Sequence, residues 1–179
     1  MEQNLPRTIA LLSRTPPTLD ALLRDLPDDW IKANEGEGTF SAFDVVAHLI
    51  HAEQEDWMPR VRMILQHGEA QVFDPFDRWA TVRESRNRPL GSLLDEFAQL
   101  RAASLGSIRA LNLSSDRMNA TGRHPSFGRV TLSQLLATWA VHDLTHLHQI
   151  SRVMAHQYCD AVGPWINYLG VLLCNGHST

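Results

Sequence analysis

The sequence has 179 residues, of which 44% are apolar and 20% are charged, and its formal net charge is -4 at pH 7. A chain of this length can bury a full core without disulfides or structural metals, and its composition is typical of ordinary globular proteins. The acidic balance, with a pI near 6.1, argues against a nucleic-acid partner, because nucleic-acid-binding surfaces normally carry an excess of lysine and arginine.

Cysteine content and the N-terminal sequence indicate a compartment. Cys159 and Cys174 are the two cysteines and lack CxxC spacing, so neither a disulfide framework nor a thiolate zinc site is indicated. The first residues do not combine a basic start with a long apolar run, and no segment reaches the roughly 18 apolar residues of a membrane span. We therefore expect a cytoplasmic protein with no membrane partner.

The first apolar segment runs from about residue 5 to residue 26 and contains two adjacent prolines. A proline inside a helix removes a hydrogen bond and clashes with the preceding turn. Pro16 and Pro17 therefore predict a short helix followed by a kink or a restart. A polar loop containing the sequence NEGEG follows this segment.

A second helix is expected from Ser41 to about residue 67. Ser41 and Asp44 have the spacing of a capping box at its start. Pro59 is expected to bend this helix or to end its regular part, because proline is a common cause of kinks.

The second helix also carries histidines and acidic residues. Helical periodicity does not choose between His48 and His51, since His48 lies on a second and weaker apolar face. The acidic residues near the middle are expected to form a solvated face: Glu53, Glu55 and Asp56.

Residues 68–90 form a long connection, which permits a crossover because antiparallel helices need only about 2–8 linking residues. Asp74 and Asp77 in this connection could reach a site at the end of the bundle, although such residues more often cap turns. The third helix is expected from Ser92, with Asp95 at cap spacing, to about residue 111. Nothing on its main apolar face resembles a metal ligand, so a packing role is expected.

The second connection, residues 112–130, contains the sequence GRHPSFGRV, in which Gly122 and Gly128 permit tight turns near His124. No stretch of the chain alternates apolar and polar residues enough to predict a strand. The apolar sequence WINYLGVLL near the C-terminus predicts a short final helix, or an apolar surface that a second copy covers.

The fourth helix is expected over residues 131–157 and carries two histidines on its apolar face. Thr131 and Gln134 have cap spacing at its start. At about 100° per residue, His142 and His146 lie on the side of the apolar stripe, and residues four apart are about 6 Å apart along the axis. Both rings can therefore meet one metal ion. Core histidines with ordinary hydrogen bonds explain the pair equally well, so a third ligand decides between the two.

Further polar residues of the fourth helix limit the possible chemistry. Asp143 lies about 20° from the centre of the buried stripe. It is either an acceptor for the N–H of a metal-binding histidine, which would fix the tautomer, or a structural hydrogen-bond partner of a neighbouring helix. His148 projects to the opposite side and is excluded. A di-iron centre is disfavoured, because such bundles need several inward glutamates and this helix has none.

Three stretches together resemble a known family: FSAFDVVAHLIHAEQEDW, HPSFGRVTLSQLL and WAVHDLTHLHQISRV. Their histidine spacing, H-D-x-x-H signature and His-Pro-x-Phe-Gly lead-in are similar to those of the DinB/YfiT-like metalloprotein superfamily. The resemblance extends over nearly the whole chain. It implies one all-α domain over residues 1–179, a four-helix bundle with up-down-down-up connectivity, long connections and a short C-terminal helix, and a homodimer as a frequent assembly.

The resemblance also implies a divalent metal held by one histidine of the second helix and two of the fourth. By position these ligands are His48, His142 and His146. Three nitrogen donors leave at least one coordination position open, which is typical of catalytic rather than structural sites. Zinc, nickel, iron, cobalt and manganese all remain candidates, since imidazole suits several metals.

The leading functional hypothesis is a metal-dependent enzyme that activates water or a low-molecular-weight thiol, because a bound cation lowers the pKa of either. Some members of the resembled family are similar to thiol-dependent transferases, which implies a thiol and a small electrophile as substrates. A hydrolase would use water instead. The alternative is a noncatalytic bundle, acting as a homodimer, whose metal fixes the helices or serves as a sensor.

Overall fold

The computed structural model describes residues 3–174. Its α-helices in that range are α1 (Leu5–Leu12), α2 (Thr15–Leu23), α3 (Asp28–Lys32), α4 (Ala42–His51), α5 (Trp57–His67), α6 (Ala80–Ser85), α7 (Leu90–Ala110), α8 (Ser115–Met118), α9 (Leu132–His156) and α10 (Gly170–Leu173). The other elements are a π-helical turn (Ala52–Asp56), 3-10 helices (Gly68–Ala70 and Gly163–Tyr168), and strands β1 (Thr121–His124) and β2 (Gly128–Thr131).

Four long helical units form the bundle: α1 with α2, α4 with α5, α7, and α9. Helix α9 packs against α1, α4 and α5, and α7 packs against α2 and α4. The units follow the predicted up-down-down-up order, so the second and third run parallel. Parallel neighbours need a connection that returns along the bundle, which explains the long segment between α5 and α7. The predicted all-α four-helix bundle is confirmed.

The two prolines near the N-terminus separate two helices. Helix α1 ends at Leu12, and Pro16 and Pro17 lie in the first turn of α2. Proline is tolerated there, because the first N–H groups of a helix have no intrahelical partner. The predicted restart is therefore confirmed.

The second and fourth helices both begin with complete capping boxes. The hydroxyl of Ser41 accepts from the N–H of Asp44, whose carboxylate accepts from the N–H of Ser41. Thr131 and Gln134 form the same reciprocal pair at the start of α9. Each box satisfies two backbone donors, so the predicted starts of these helices are confirmed.

The third helix begins two residues before its predicted cap. Helix α7 starts at Leu90 after Pro89, and no side chain caps it. The hydroxyl of Ser92 donates back to the carbonyl of Pro89 at 2.8 Å instead of accepting from a downstream N–H. The prediction of Ser92 as the cap is wrong, because the fixed φ of Pro89 already directs the chain into the helix.

A π-helical turn interrupts the second helix just before its proline. The N–H of Trp57 donates to the carbonyl of Ala52, five residues earlier. In a regular helix the ring of Pro59 would clash with the carbonyl of Glu55, four residues earlier. A wider turn relieves that clash and leaves fewer unpaired groups than a break. The irregularity predicted at Pro59 therefore takes the form of this turn.

The second connection contains a β-hairpin that the sequence did not predict. Strands β1 and β2 pair antiparallel, with Thr121 opposite Thr131 and His124 opposite Gly128. Neither strand, TGRH nor GRVT, alternates apolar and polar residues, so the sequence contains no strand signal there. Gly128 takes a φ of 70°, which glycine adopts without strain. The hairpin contacts α5 and leads directly into α9.

The C-terminal segment packs along the outside of α9, where α10 confirms the predicted short final helix. Trp165 and Tyr168 in the preceding 3-10 helix are exposed. Within residues 3–174, no helix has both the length and the apolar character that a membrane crossing requires.

Candidate metal centre

Three histidine rings meet between α4 and α9. The Nε2 atom of His142 lies 3.2 Å from Nε2 of His48 and 3.1 Å from Nε2 of His146. His48 and His146 are 5% and 2% exposed, and His142 is half-buried. The structure therefore brings together the three histidines that the sequence singled out, and it places their Nε2 atoms around one point.

Two of these rings are held from behind by hydrogen-bond acceptors. Nδ1 of His48 lies 3.3 Å from the backbone carbonyl oxygen of Arg78, and Nδ1 of His146 lies 2.8 Å from Oε1 of Gln149. Because an oxygen acceptor faces each Nδ1 atom, each of these atoms carries the ring proton and donates it. Both Nε2 atoms therefore keep a free lone pair. This arrangement orients imidazoles in metal sites. Sequence reasoning missed Arg78 and Gln149.

A network of hydrogen bonds alone does not satisfy the cluster. Nε2 of His142 faces two acceptors, the Nε2 atoms of His48 and His146, and can donate one proton at most. A cation at the centre satisfies all three lone pairs at once. A tetrahedral zinc ion with bonds of 2.0–2.1 Å separates its nitrogen ligands by about 3.4 Å, close to the spacings found here. The donor set thus fits a divalent cation.

Burial keeps the three rings neutral. Burial is the main reason that the pKa of His48 is lowered to about 3 and the pKa of His142 to about 2. It is also the main reason that the pKa of His146 is lowered. The neighbouring imidazoles lower the pKa values of His48 and His142 further. Neutral imidazole is the form that binds metals, so protons do not compete for this site at pH 7.

One side of the cluster opens into a cavity of about 310 Å³. The lining residues are His48, Asp56, Arg60, Phe76, Arg78, His124, His142 and His146. Among the described residues, no cysteine, carboxylate or further histidine joins the group of three. Three donors beside a cavity leave room for a small molecule, whereas a structural site closes with four protein ligands.

The π-helical turn determines which acidic residues are buried. In a regular helix Asp56 would be rotated about 80° from His48, but the extra residue in the turn reduces this to about 20°. Asp56 is 8% exposed and lines the cavity, and Glu53 is buried against Arg101 and Trp139. The predicted solvated face is therefore wrong for Glu53 and Asp56, while Glu55 is exposed as predicted.

A buried ion network lies behind the cluster and joins all four units. Nε of Arg101 donates to Oε1 of Glu53 at 2.8 Å, and its two Nη atoms donate to the carboxylate of Asp143. Trp139 donates to Glu53 at 3.1 Å, and the hydroxyl of Thr15 donates to Asp143. These bonds link α2, the π-helical turn, α7 and α9.

This network settles how Asp143 is bonded and corrects the packing-only interpretation of α7. Asp143 accepts hydrogen bonds from neighbouring helices, which is the structural alternative considered for it, and its contribution to His146 is electrostatic, since it raises the pKa of that ring. Arg101 lies four residues after Phe97, on the buried stripe of α7. A charged side chain at that position was the signal that sequence reasoning overlooked.

The other histidines of interest lie outside the group of three. The ring of His51 is tilted by 35° against the ring of Phe76 at a centroid distance of 4.7 Å, and His51 lines a neighbouring cavity of about 380 Å³. His148 is exposed, as predicted. His124 lines the same cavity as the cluster, and its Nδ1 accepts from the N–H groups of Ser126 and Phe127. With Nδ1 used as an acceptor, its Nε2 carries the proton.

The two aspartates of the first connection do not reach the cluster. Asp74 and Asp77 line the neighbouring cavity. Oδ1 of Asp77 accepts from the N–H of Trp79 at 3.0 Å, and Oδ2 pairs with Arg83 at 2.5 Å. Asp77 thus caps a turn, which the sequence indicated as the more common role of such residues.

Comparison with known proteins gives a family and a fold. The family model of the DinB superfamily matches residues 11–150. Among solved structures, YfiT from Bacillus subtilis, described as a probable metal-dependent hydrolase with an unusual four-helix bundle topology, matches with a TM-score of 0.74 and 18% sequence identity. The match covers 86% of this chain and 87% of that chain. No curated protein matches at the sequence level.

Proposed function

The chain belongs to the DinB superfamily, and from this premise we propose that it is a metal-dependent enzyme whose His48, His142 and His146 hold one divalent cation. The observation that carries this proposal is the convergence of three Nε2 atoms, with that of His142 3.2 Å from His48 and 3.1 Å from His146 and all three within 4.8 Å of one another. The buried, neutral state of the rings supports it further. Zinc and nickel are the first metals to test, since both accept imidazole ligands.

A cation held by imidazoles lowers the pKa of a water or thiol beside it and so supplies a nucleophile at neutral pH. The residues of this chain have three tasks around it. The carbonyl of Arg78 and the amide of Gln149 orient two of the rings. The ring of Phe76 provides an apolar wall, and the cavity of about 310 Å³ admits a small substrate beside the cluster.

The nucleophile is water in one form of the proposal and a low-molecular-weight thiol in the other. The description of YfiT as a probable metal-dependent hydrolase supports water. The family resemblance to thiol-dependent transferases supports a thiol such as mycothiol, bacillithiol or glutathione, with a small electrophile as second substrate.

Metal content tests the proposal most directly. Protein purified with zinc or nickel supplied should contain about one equivalent per chain by elemental analysis, and His142→Ala and His146→Ala should each lose most of it. His148→Ala is the matched control, because His148 lies on the same helix but is exposed. Absence of metal from the wild-type protein, or unchanged content in both variants, contradicts the proposal.

Activity separates the catalytic forms from the noncatalytic alternative. Hydrolysis of p-nitrophenyl acetate supports the water form, and conjugation of 1-chloro-2,4-dinitrobenzene with glutathione, bacillithiol or mycothiol supports the thiol form. Either reaction should stop after metal chelation and return when zinc is restored. A metal-loaded protein that catalyses neither reaction, but whose melting temperature rises on loading, favours a metal-stabilised or sensor bundle. Light scattering would then test the homodimer that this alternative includes.

A further inference from the structure

Among the described residues that line the cavity beside the three histidines, Asp56 is the one with a carboxylate side chain. We propose that Asp56 is the proton-transfer residue of this cavity, which accepts the proton that a water or thiol nucleophile loses when it attacks. This inference rests on the proposed function and adds to it a named acid and base. It is carried by the position of the carboxylate and by its contacts.

The two oxygens of Asp56 have different surroundings. Oδ1 is fully buried and lies 2.5 Å from Nε of Arg60, in an ion pair that lacks the geometry of a directed hydrogen bond. The side chain as a whole is 11% exposed. Because Oδ1 is enclosed beside Arg60, Oδ2 is the oxygen that can face the cavity and exchange a proton there.

Arg60 holds the carboxylate in place without occupying the cavity-facing oxygen. It lies four residues after Asp56, so the pair forms along one side of the helix. Its guanidinium also lies 5.2 Å from the centre of the Phe73 ring, a contact that restricts it further. The carboxylate is thus fixed by one oxygen and free at the other, as a general base requires.

The proton balance of the step is simple. As the nucleophile attacks an electrophilic carbon, its O–H or S–H bond breaks, the electron pair forms the new bond to carbon, and the proton moves to Oδ2 of Asp56. As the bond from carbon to the leaving group breaks, the neutral acid gives this proton to a basic leaving group, or to solvent water where the leaving group is chloride or 4-nitrophenolate. The carboxylate is regenerated, and nothing is oxidised or reduced.

The protonation equilibrium of Asp56 suits this exchange. Burial raises the pKa of its carboxyl group to about 6, against the opposing effect of Arg60. Arg60 lies beside it, and the other titratable and charged groups that line the cavity are His48, Arg78, His124, His142 and His146. The imidazole pKa values are lowered by burial, so the two arginines are the cations there at pH 7. A base with a pKa near the working pH both accepts and returns protons efficiently.

The test compares Asp56→Asn with Glu55→Gln in zinc-loaded protein. Glu55 is the matched control, because it is an exposed carboxylate in the same π-helical turn. With p-nitrophenyl acetate, or with glutathione and 1-chloro-2,4-dinitrobenzene, we expect Asp56→Asn to lower kcat about 100- to 10,000-fold at unchanged zinc content. The wild-type rate should fall towards low pH as Asp56 becomes protonated, and this acid limb should be absent from the residual rate of the variant. Glu55→Gln should behave as the wild type.

A second readout does not depend on turnover. In the metal-free protein, the carbon NMR titration of the aspartate carboxyl groups should contain one signal with a pKa near 6 that Asp56→Asn removes. Arg60→Met should raise that pKa, since Arg60 favours the charged form. If Asp56→Asn does not fold, Asp56→Ser serves as the second neutral variant. Asp56→Glu should recover part of the rate because it keeps a carboxylate.

The outcomes distinguish this inference from the proposed function. If Asp56→Asn keeps the wild-type turnover, or if that variant loses zinc, the inference is overturned and the proposed function is not. An ordinary aspartate pKa for the signal that Asp56→Asn removes also overturns it. Wild-type protein that binds no zinc, or that shows no metal-dependent turnover, contradicts the proposed function and overturns the inference with it.

Discussion

Arg101 holds both carboxylate oxygens of Asp143 inside the bundle, with Nη1 2.5 Å from Oδ2 and Nη2 2.9 Å from Oδ1. Removing one partner of a buried ion pair leaves the other charge uncompensated. We therefore expect Arg101→Met to lower the free energy of unfolding by roughly 3–5 kcal/mol, measured by urea denaturation. Arg109→Met, at an exposed position of the same helix, should change it by less than about 0.5 kcal/mol.

Gln149 should contribute to metal affinity without touching the metal. Its amide oxygen accepts the Nδ1 proton of His146 at 2.8 Å and so keeps the Nε2 lone pair free. Loss of such a partner typically weakens metal binding about 10- to 100-fold, which we expect for Gln149→Leu in a competition titration with a zinc-binding dye. Ser151→Ala, an exposed substitution one half-turn further along α9, is the control. Equal affinities in the two variants would contradict the orienting role.

Asp56 should make the stability of the metal-free protein depend on pH in a defined direction. Its folded pKa of about 6 exceeds the ordinary value of 3.8, so between these pH values the folded chain binds more protons than the unfolded chain. The contribution of Asp56 to stability is therefore present at low pH and lost as pH rises through 6.

Asp56→Asn abolishes this ionisation. The free energy of unfolding, measured by urea denaturation, should be compared between variant and wild type at two pH values. The difference should shift in favour of the variant by roughly 1–3 kcal/mol from about pH 4.5 to about pH 7.5. The buried histidines have lowered pKa values and act in the opposite direction, but both proteins contain them, so their effect cancels in the difference. Glu55→Gln should show no comparable gain, and an equal gain there would refute the assignment.

Gly122 permits the hairpin to lie against the bundle. A Cβ atom at this position would lie 2.6 Å from Cγ1 of Ile64 and 3.0 Å from the ring of Phe73. Gly122→Ala should therefore destabilise the protein by about 1–3 kcal/mol in thermal or urea unfolding. Gly106→Ala is the control, because a Cβ atom there meets open space on α7. Replacing this helical glycine should raise the free energy of unfolding by at most about 1 kcal/mol.

The parts of the fold that depend on local chemistry were predictable from the sequence. The capping boxes at Ser41 and Thr131 use neighbouring residues, so their spacing alone located two helix starts. For a similar reason, Pro16 and Pro17 predicted that one helix ends and a second begins near them. The apolar stripe of the fourth helix directed His142 and His146 inwards, where the structure brings them together.

The parts that depend on tertiary contacts were not predictable. Helical periodicity assumes a constant rotation per residue, and the π-helical turn changes that rotation between His48 and Asp56. Asp56 was therefore assigned to the solvated side of the helix, although it is buried and lines the cavity. The acceptor for His48 comes from a residue 30 positions away, whose side chain gives no indication of its role. Arg101 was overlooked because its carboxylate partners lie on other helices.

The acceptor for His48 is a backbone carbonyl, whereas the acceptor for His146 is a side-chain amide. Every amino acid, proline included, supplies a carbonyl. Position 78 is therefore free to drift during evolution without removing this support, provided that the loop keeps its path. Position 149 has no such freedom. A comparison of relatives by residue identity would recognise only one of the two supports, although both orient an imidazole in the same way.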